Sequence, residues 1–285
     1  MALKKKSDDL GFQETIDEIE EEGYRQLDPN SPITSEDGYV HGEPMLYGYK
    51  DKETGILHNT FTYREMDGRD EEAIQKAEVR SNGAKLTNTL VERCVLEIGD
   101  FSKKEMGSKK WGDFIRNLNS GELDYMMLKI REISKGSEIT FSHKCPRCGT
   151  KLDTVMEISE FKCTEFGGEE EIPFELIRGY KDKNGVIHKK GFIRLTNGYD
   201  REIITPLMMK NKANAITTLI TRVVTFEDGT PVFSDNVKAM SVRDRSYLEK
   251  LINDSTYGID MSFDDVHCPS CDADLTEERY TSDFF

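Results

Sequence analysis

The sequence predicts an α+β protein made of two tandem copies of one small domain. Each copy is a β-hairpin followed by three helices and a terminal Cys-x-x-Cys knuckle, and the copies are expected to be related by pseudo-twofold symmetry. Three observations carry this. Residues 48–58 read GYKDKETGILH and residues 179–188 read GYKDKNGVIH, one phrase shortened by a residue in its turn. Later segments answer each other in the same order: TLVERCV at 89–95 matches TLITRVV at 218–224, and FSHKCPRCG at 141–149 matches FDDVHCPSCD at 263–272. The spacing between matched segments drifts from 131 to 122 residues, as in a duplicated unit that has gained and lost loop residues. Repeats of about 20–50 residues would instead imply a solenoid.

Each copy opens with a hairpin. In the second, PFELIRGY and VIHKKGFIRL flank DKNG, and Asn-Gly is the strongest short hairpin signal. In the first, MLYGY and ILHNTFTY flank the longer turn DKETG. Helices are expected over 69–80 and 199–210, the second capped by Thr196 or Asn197. The next helix, over 84–97 and 212–225, sets Leu86, Leu90 and Val91 on one face. Ile216, Leu219, Ile220 and Val223 repeat that face in the second copy. SKKWGDFI reads as a further helix that takes Trp111, Phe114 and Ile115 into the core. The third helix starts at Ser120 or Ser241, where SVRD (241–244) reads as a capping box, and ends near Ile133 or Ile252. A short strand then leads into each Cys pair.

The Gly- and acid-rich FGGEEE (166–171) marks the boundary between copies. The expected division is an acidic arm (1–45), a first lobe (46–165), a second lobe (166–278) and a short tail (279–285). Within the arm, Phe12, Ile16 and Ile19 fall at i, i+4, i+7 and outline an amphipathic helix over 9–22. The alternative is a solvated acidic arm.

The formal charge is −15, and the first 45 residues hold 12 acidic against 4 basic side chains. The rest is mildly acidic and has no basic stripe, which removes the electrostatic footprint of nucleic-acid binding. No apolar run approaches the roughly 18 residues of a membrane span. MALKKKSDDLGF has no apolar stretch behind its lysines, so no secretory signal is expected, and a reducing cytoplasm is. GxSxG, HExxH and a Gly-rich phosphate loop are missing, so no enzyme activity is expected. His58 and His188 end the same phrase in each copy and read as packing or turn chemistry.

Cys145-Pro-Arg-Cys148-Gly and Cys268-Pro-Ser-Cys271-Asp have the form of zinc knuckles, in which two thiolates three residues apart reach one ion. A structural Zn²⁺ wants four ligands. The 119 residues between the pairs are too many for a zinc ribbon, but two facing lobes would bring Cys145, Cys148, Cys268 and Cys271 to one ion. Three alternatives stand beside this. Cys163, at near-ribbon spacing, closes a separate site with His143, leaving Cys268 and Cys271 with His267; or the pairs hold no metal; or they are redox-active. Cys94 reads as a small core hydrophobe.

The order of short motifs resembles the T4-type baseplate hub assembly proteins of contractile-tailed phages, and more loosely the tail assembly chaperones. The second copy carries most of it. Arg194-Leu195-Thr196 precedes Asp200-Arg201-Glu202, Leu219 to Val223 and Val242-Arg243-Asp244-Arg245 follow, then Ser255-Thr256-Tyr257-Gly258 and Cys268-Pro269-Ser270-Cys271. The first copy keeps Arg64-Glu65-Met66, Asp70-Glu71-Glu72 and Cys145-Pro146-Arg147-Cys148, but lacks the Asp-Arg step before its third helix. The resemblance implies a non-enzymatic tail or baseplate assembly protein that binds hub, wedge or tape-measure proteins, in the host cytoplasm during assembly or in the virion tail. The alternatives are a structural baseplate subunit retained in the virion and a zinc-ribbon regulatory protein. The acidic FDDVH and CDADLTEE around the second knuckle count against the latter. The acidic arm and the exposed faces of the third helices are the expected contact surfaces.

Overall fold

The computed structural model describes residues 38–164, 166–260 and 267–275. The helix expected over 9–22 and the tail 279–285 lie outside the described residues. Strand β1 (Tyr39–Lys50) starts inside the stretch assigned to the arm and pairs antiparallel with β2 (Leu57–Arg64) around the DKETG turn. Helices α1 (Gly68–Ile74), α2 (Ala77–Arg80) and α3 (Gly83–Cys94) follow. The single helix expected over 69–80 is thus two, because Lys76 takes an extended ψ of 135°. The helix expected to reach residue 97 stops at Cys94. Val95 and Ile98 are fully buried and pair with Tyr63 and Phe61, so this β-branched pair serves better as strand β3 (Val95–Ile98). Strand β4 (Phe101–Ser102) completes a sheet of order β1-β2-β3-β4. Helix α4 (Lys103–Asn117) bends at Gly107, whose φ of 74° only glycine adopts without strain. Helix α5 (Ser120–Lys135) and the hairpin β5 (Glu138–Lys144) and β6 (Lys151–Glu157) end this half. Trp111, Ile115, Leu123 and Met126 seal α4 and α5 onto the sheet without solvent exposure, each worth about 1.5–3 kcal/mol of burial.

After β7 (Lys162–Thr164) the element order returns. Strands β8 (Glu171–Lys181) and β9 (Ile187–Arg194) form the hairpin. Helices α6 (Gly198–Lys210) and α7 (Lys212–Val223) follow, then strand β10 (Val224–Phe226), helix α8 (Ser234–Lys238) and helix α9 (Val242–Asp254). The sheet order is β10-β9-β8, and β11 (Gly258–Asp260) pairs with β7. Phe174, Tyr180, Ile220, Phe226 and Leu248 fill a second core. The described residues all belong to one compact unit, Thr34–Phe285.

Two local devices occur in both halves. Asp70, with no solvent exposure, meets Arg64 Nη1 at 2.6 Å and Arg93 Nε at 2.6 Å; Asp200, equally buried, meets Arg194 Nη1 at 2.6 Å and Arg222 Nε at 2.7 Å. Each aspartate also closes the capping box of its helix, with Asp67 and Asn197 as the respective N-caps. The second device blunts a strand edge. Glu122 accepts from the backbone N–H of Leu46, Tyr47 and Gly48, and Asp244 from those of Ile177, Arg178 and Gly179. The SVRD capping box is therefore only half formed. Ser241 Oγ accepts from the Asp244 N–H, while the Asp244 carboxylate turns to β8.

Away from the cysteines the halves meet through unlike faces. The first half presents α3, α4 and the start of α5; the second presents α6 and the segment after α9. Glu202 is the hub, accepting from Asn88 Nδ2 at 2.7 Å and Arg116 Nε at 3.1 Å. Arg201 pairs with Asp124 at 2.7 Å, and Ser120 bonds Thr196 through both backbone and hydroxyl. A twofold axis would join the counterparts of Glu202 and Asn88, which are Glu72 and Thr217. Among the described residues no hydrogen bond joins those two. Gly121 and Gly258 set the closest approach: a Cβ on Gly121 would lie 2.3 Å from the Tyr257 carbonyl.

Candidate metal centre

Each knuckle is built by the same turn. The Cys145 N–H donates to the Thr150 carbonyl and the Gly149 N–H to the Cys145 carbonyl; in the second, the Cys268 N–H donates to Ala273 and the Asp272 N–H to Cys268. The turn needs a left-handed residue after the second cysteine. Gly149 supplies φ 75°, and Asp272, at φ 55°, is the one non-glycine residue with positive φ among the described residues. Hairpin β5–β6 carries the first knuckle, and an isolated bridge between His267 and Asp274 closes the second. Leu152 and Leu275 pack beneath, leaving Cys145 and Cys268 buried and Cys148 exposed.

The four sulfurs of Cys145, Cys148, Cys268 and Cys271 lie within 4.8 Å of one another. Cys145 Sγ is 3.6 Å from Cys271 Sγ, and Cys148 Sγ is 3.5 Å from Cys268 Sγ. These contacts cross between knuckles, each buried cysteine facing the other pair's outer one. A disulfide holds its sulfurs about 2.05 Å apart, well short of these separations. Four thiolates on Zn²⁺ at about 2.3 Å sit roughly 3.8 Å from each other. The spacing fits a tetrahedral thiolate site and excludes a disulfide.

Electrostatics at the cluster point the same way. The Thr150 hydroxyl and backbone amide beside Cys148 draw its thiol down to about 6. The Ala273 amide pulls on Cys271, yet burial and its sulfur neighbours push that thiol up to about 12. One thiolate forms readily and the next is resisted, a conflict that a divalent cation relieves.

Among the other residues singled out, Cys163 lies on β7 opposite Ile259 and is not one of the four clustered cysteines. His267 Nδ1 is 3.6 Å from Asp272 Oδ1 and outside the cluster. His58 and His188 are buried turn clamps: His58 Nδ1 accepts from the Asp100 N–H, and His188 Nδ1 is 2.6 Å from Asp228 Oδ2. Cys94 is fully buried, and burial pushes its thiol up to about 12, as in a core hydrophobe. Thr150 and Arg116 escaped the sequence reading, since neither carries a motif, and Glu202 was read only as part of Asp200-Arg201-Glu202, not as a clamp.

No helix among the described residues is long and apolar enough to cross a membrane. A family model described as T4 bacteriophage base plate protein matches residues 49–285. No curated protein and no solved structure matches the chain.

Proposed function

Since the chain belongs to the T4 bacteriophage base plate protein family, we propose that it promotes baseplate assembly by binding other tail proteins. It carries out no chemistry and is stiffened by one structural Zn²⁺ on Cys145, Cys148, Cys268 and Cys271. Family membership by itself gives a baseplate-related structural or assembly role. The observation that supports the finer reading is the extent of the match, 49–285, which takes in both halves and both knuckles. A pair of lobes clasped at four cysteines and clamped at Glu202 suits a rigid binding platform. The two halves derive, in this reading, from a tandem duplication, supported by the shared element order and the paired Asp70 and Asp200 triangles.

The partners are baseplate hub, wedge or tape-measure proteins, met in the host cytoplasm during assembly. The acidic arm, which lies outside the described residues beyond its last few, would hold a basic segment by complementary charge. Co-expression and pull-down against each tail protein tests this. Binding to one of them, weakened by salt and by deletion of residues 1–37, is the expected result. Complete tails in a knockout, with no tail protein co-purifying, would sink the reading. The family description favours a second reading, a subunit retained in the particle, and mass spectrometry of purified virions separates the two.

A further inference from the structure

A cleft of about 600 Å³ opens where the two halves meet, between the tip of the β1–β2 hairpin, the α4–α5 junction and the arginines of the Asp200 triangle. Four basic side chains line it, Lys50, Lys52, Arg194 and Arg222, against one acid, Glu170. The whole chain carries −15, so the charge of this cleft runs against the composition around it. The nearest other carboxylates are already engaged. Asp200 is fully buried and matched by the two arginines, Asp51 accepts from the Glu53 N–H and the Thr54 hydroxyl within its own turn, and Asp113 accepts from the Tyr199 hydroxyl.

The equivalent place in the first half is closed. There Arg93, the counterpart of Arg222, donates Nε to Asp70 and Nη2 to the Arg69 carbonyl, and Lys103 Nζ covers the Glu92 and Arg93 carbonyls. Arg222 donates Nε to Asp200, and among the described residues no hydrogen bond takes its Nη groups. A guanidinium held by one edge keeps its remaining donors in a fixed fork, the geometry that suits a carboxylate. Tyr49, Phe114 and Tyr199 line the same cleft, so ring surface adjoins the charges.

We propose that this cleft binds a short acidic segment of another tail protein, with carboxylates on Lys50, Lys52 and Arg222 and apolar side chains against Tyr49, Phe114 and Tyr199. The proposal rests on the reading that the chain binds tail proteins, and adds the chemistry of one partner segment. The volume falls in the range of about 300–1,000 Å³ typical of ligand pockets, so the cleft admits a few residues rather than a folded domain. A nucleic-acid strand fits less well, because it needs basic side chains along a row of phosphates, and here the positive charge is that of four side chains in an acidic chain.

Fluorescence anisotropy of a labelled short peptide of alternating Glu and Tyr, titrated with the purified full chain, tests this. No tail protein is present, so a failure here leaves the pull-down reading standing. Saturable binding that weakens with salt is expected. Lys50→Glu combined with Lys52→Glu should weaken it by about tenfold or more through like-charge contact. Lys104→Glu combined with Lys109→Glu makes the same charge change on α4, at residues that do not line the cleft, and should leave binding unchanged. All four lysines are exposed, and circular dichroism verifies that the variants fold. Absence of saturable binding overturns the proposal, as does equal loss in both double variants. A Lys-Tyr peptide or single-stranded oligothymidylate bound as tightly as the Glu-Tyr peptide also overturns it. So does displacement of the peptide by an equal concentration of inorganic phosphate, which would make the cleft a small-anion site.

Discussion

Asp200 has no solvent exposure, yet two guanidiniums and the Asn197 amide converge on it. Burial alone would raise its pKa, but Arg194, the Asn197 amide and Arg222 outweigh that and hold the carboxyl below its usual range. Asp70 is held down in the same way by Arg64, the Asp67 amide and Arg93. For a group depressed in the folded state, the stabilisation is complete above the unfolded pKa near 4 and fades as pH falls toward the folded value. Stability should therefore drop with acid from about pH 4 downward. Asp200→Asn should cost about 3–5 kcal/mol at neutral pH, by leaving buried guanidiniums uncompensated, and should flatten that acid limb. Urea melts at pH 7 and pH 3 check both points. Gly121→Ala, whose Cβ meets the Tyr257 carbonyl, should cost about 1–3 kcal/mol by prising α5 from the segment after α9. Arg194, Asp200 and the segment holding Arg222 stood out in sequence as motif residues, but not their convergence, because the partners of Asp200 come from β9 and α7, 6 and 22 residues away.

At the scale of elements, the hairpins, the capped helices and the cysteine knuckles were legible, since turn chemistry and apolar spacing are local. Strands β3 and β10 were not. VLEI and VTF continue the apolar pattern of the helices before them, and what makes them strands is pairing with β2 and β9, a tertiary choice. The same holds for Asp244. Its position favours a capping box, but three unpaired N–H groups on the bulged edge of β8 outbid the local partner. Asp244→Asn should leave those amides poorly satisfied. Hydrogen exchange is expected to quicken at Ile177, Arg178 and Gly179 while the amides of Ile220 and Val223 in α7 stay protected. Uniform change across the second half would mean that the carboxylate supports the fold as a whole rather than this edge.

For the whole molecule, the clustering of Cys145, Cys148, Cys268 and Cys271 was legible from the two equal knuckles, and their sulfurs do lie within 4.8 Å of one another. Equal turns at Gly149 and Asp272 follow from sequence, yet the meeting of the halves also depends on Glu202, Arg116, Asp124 and Arg201, charged residues of ordinary spacing. If the knuckles clasp that junction through a shared ion, removing metal with a chelator should lower the melting temperature. The most direct measurement is the metal content of the purified chain beside that of Cys268→Ser. One zinc per chain is expected, with all-sulfur coordination near 2.3 Å by X-ray absorption, lost when Cys268 alone is replaced. Two zincs per chain, a zinc retained by Cys145 and Cys148 without Cys268, or no bound metal would contradict it.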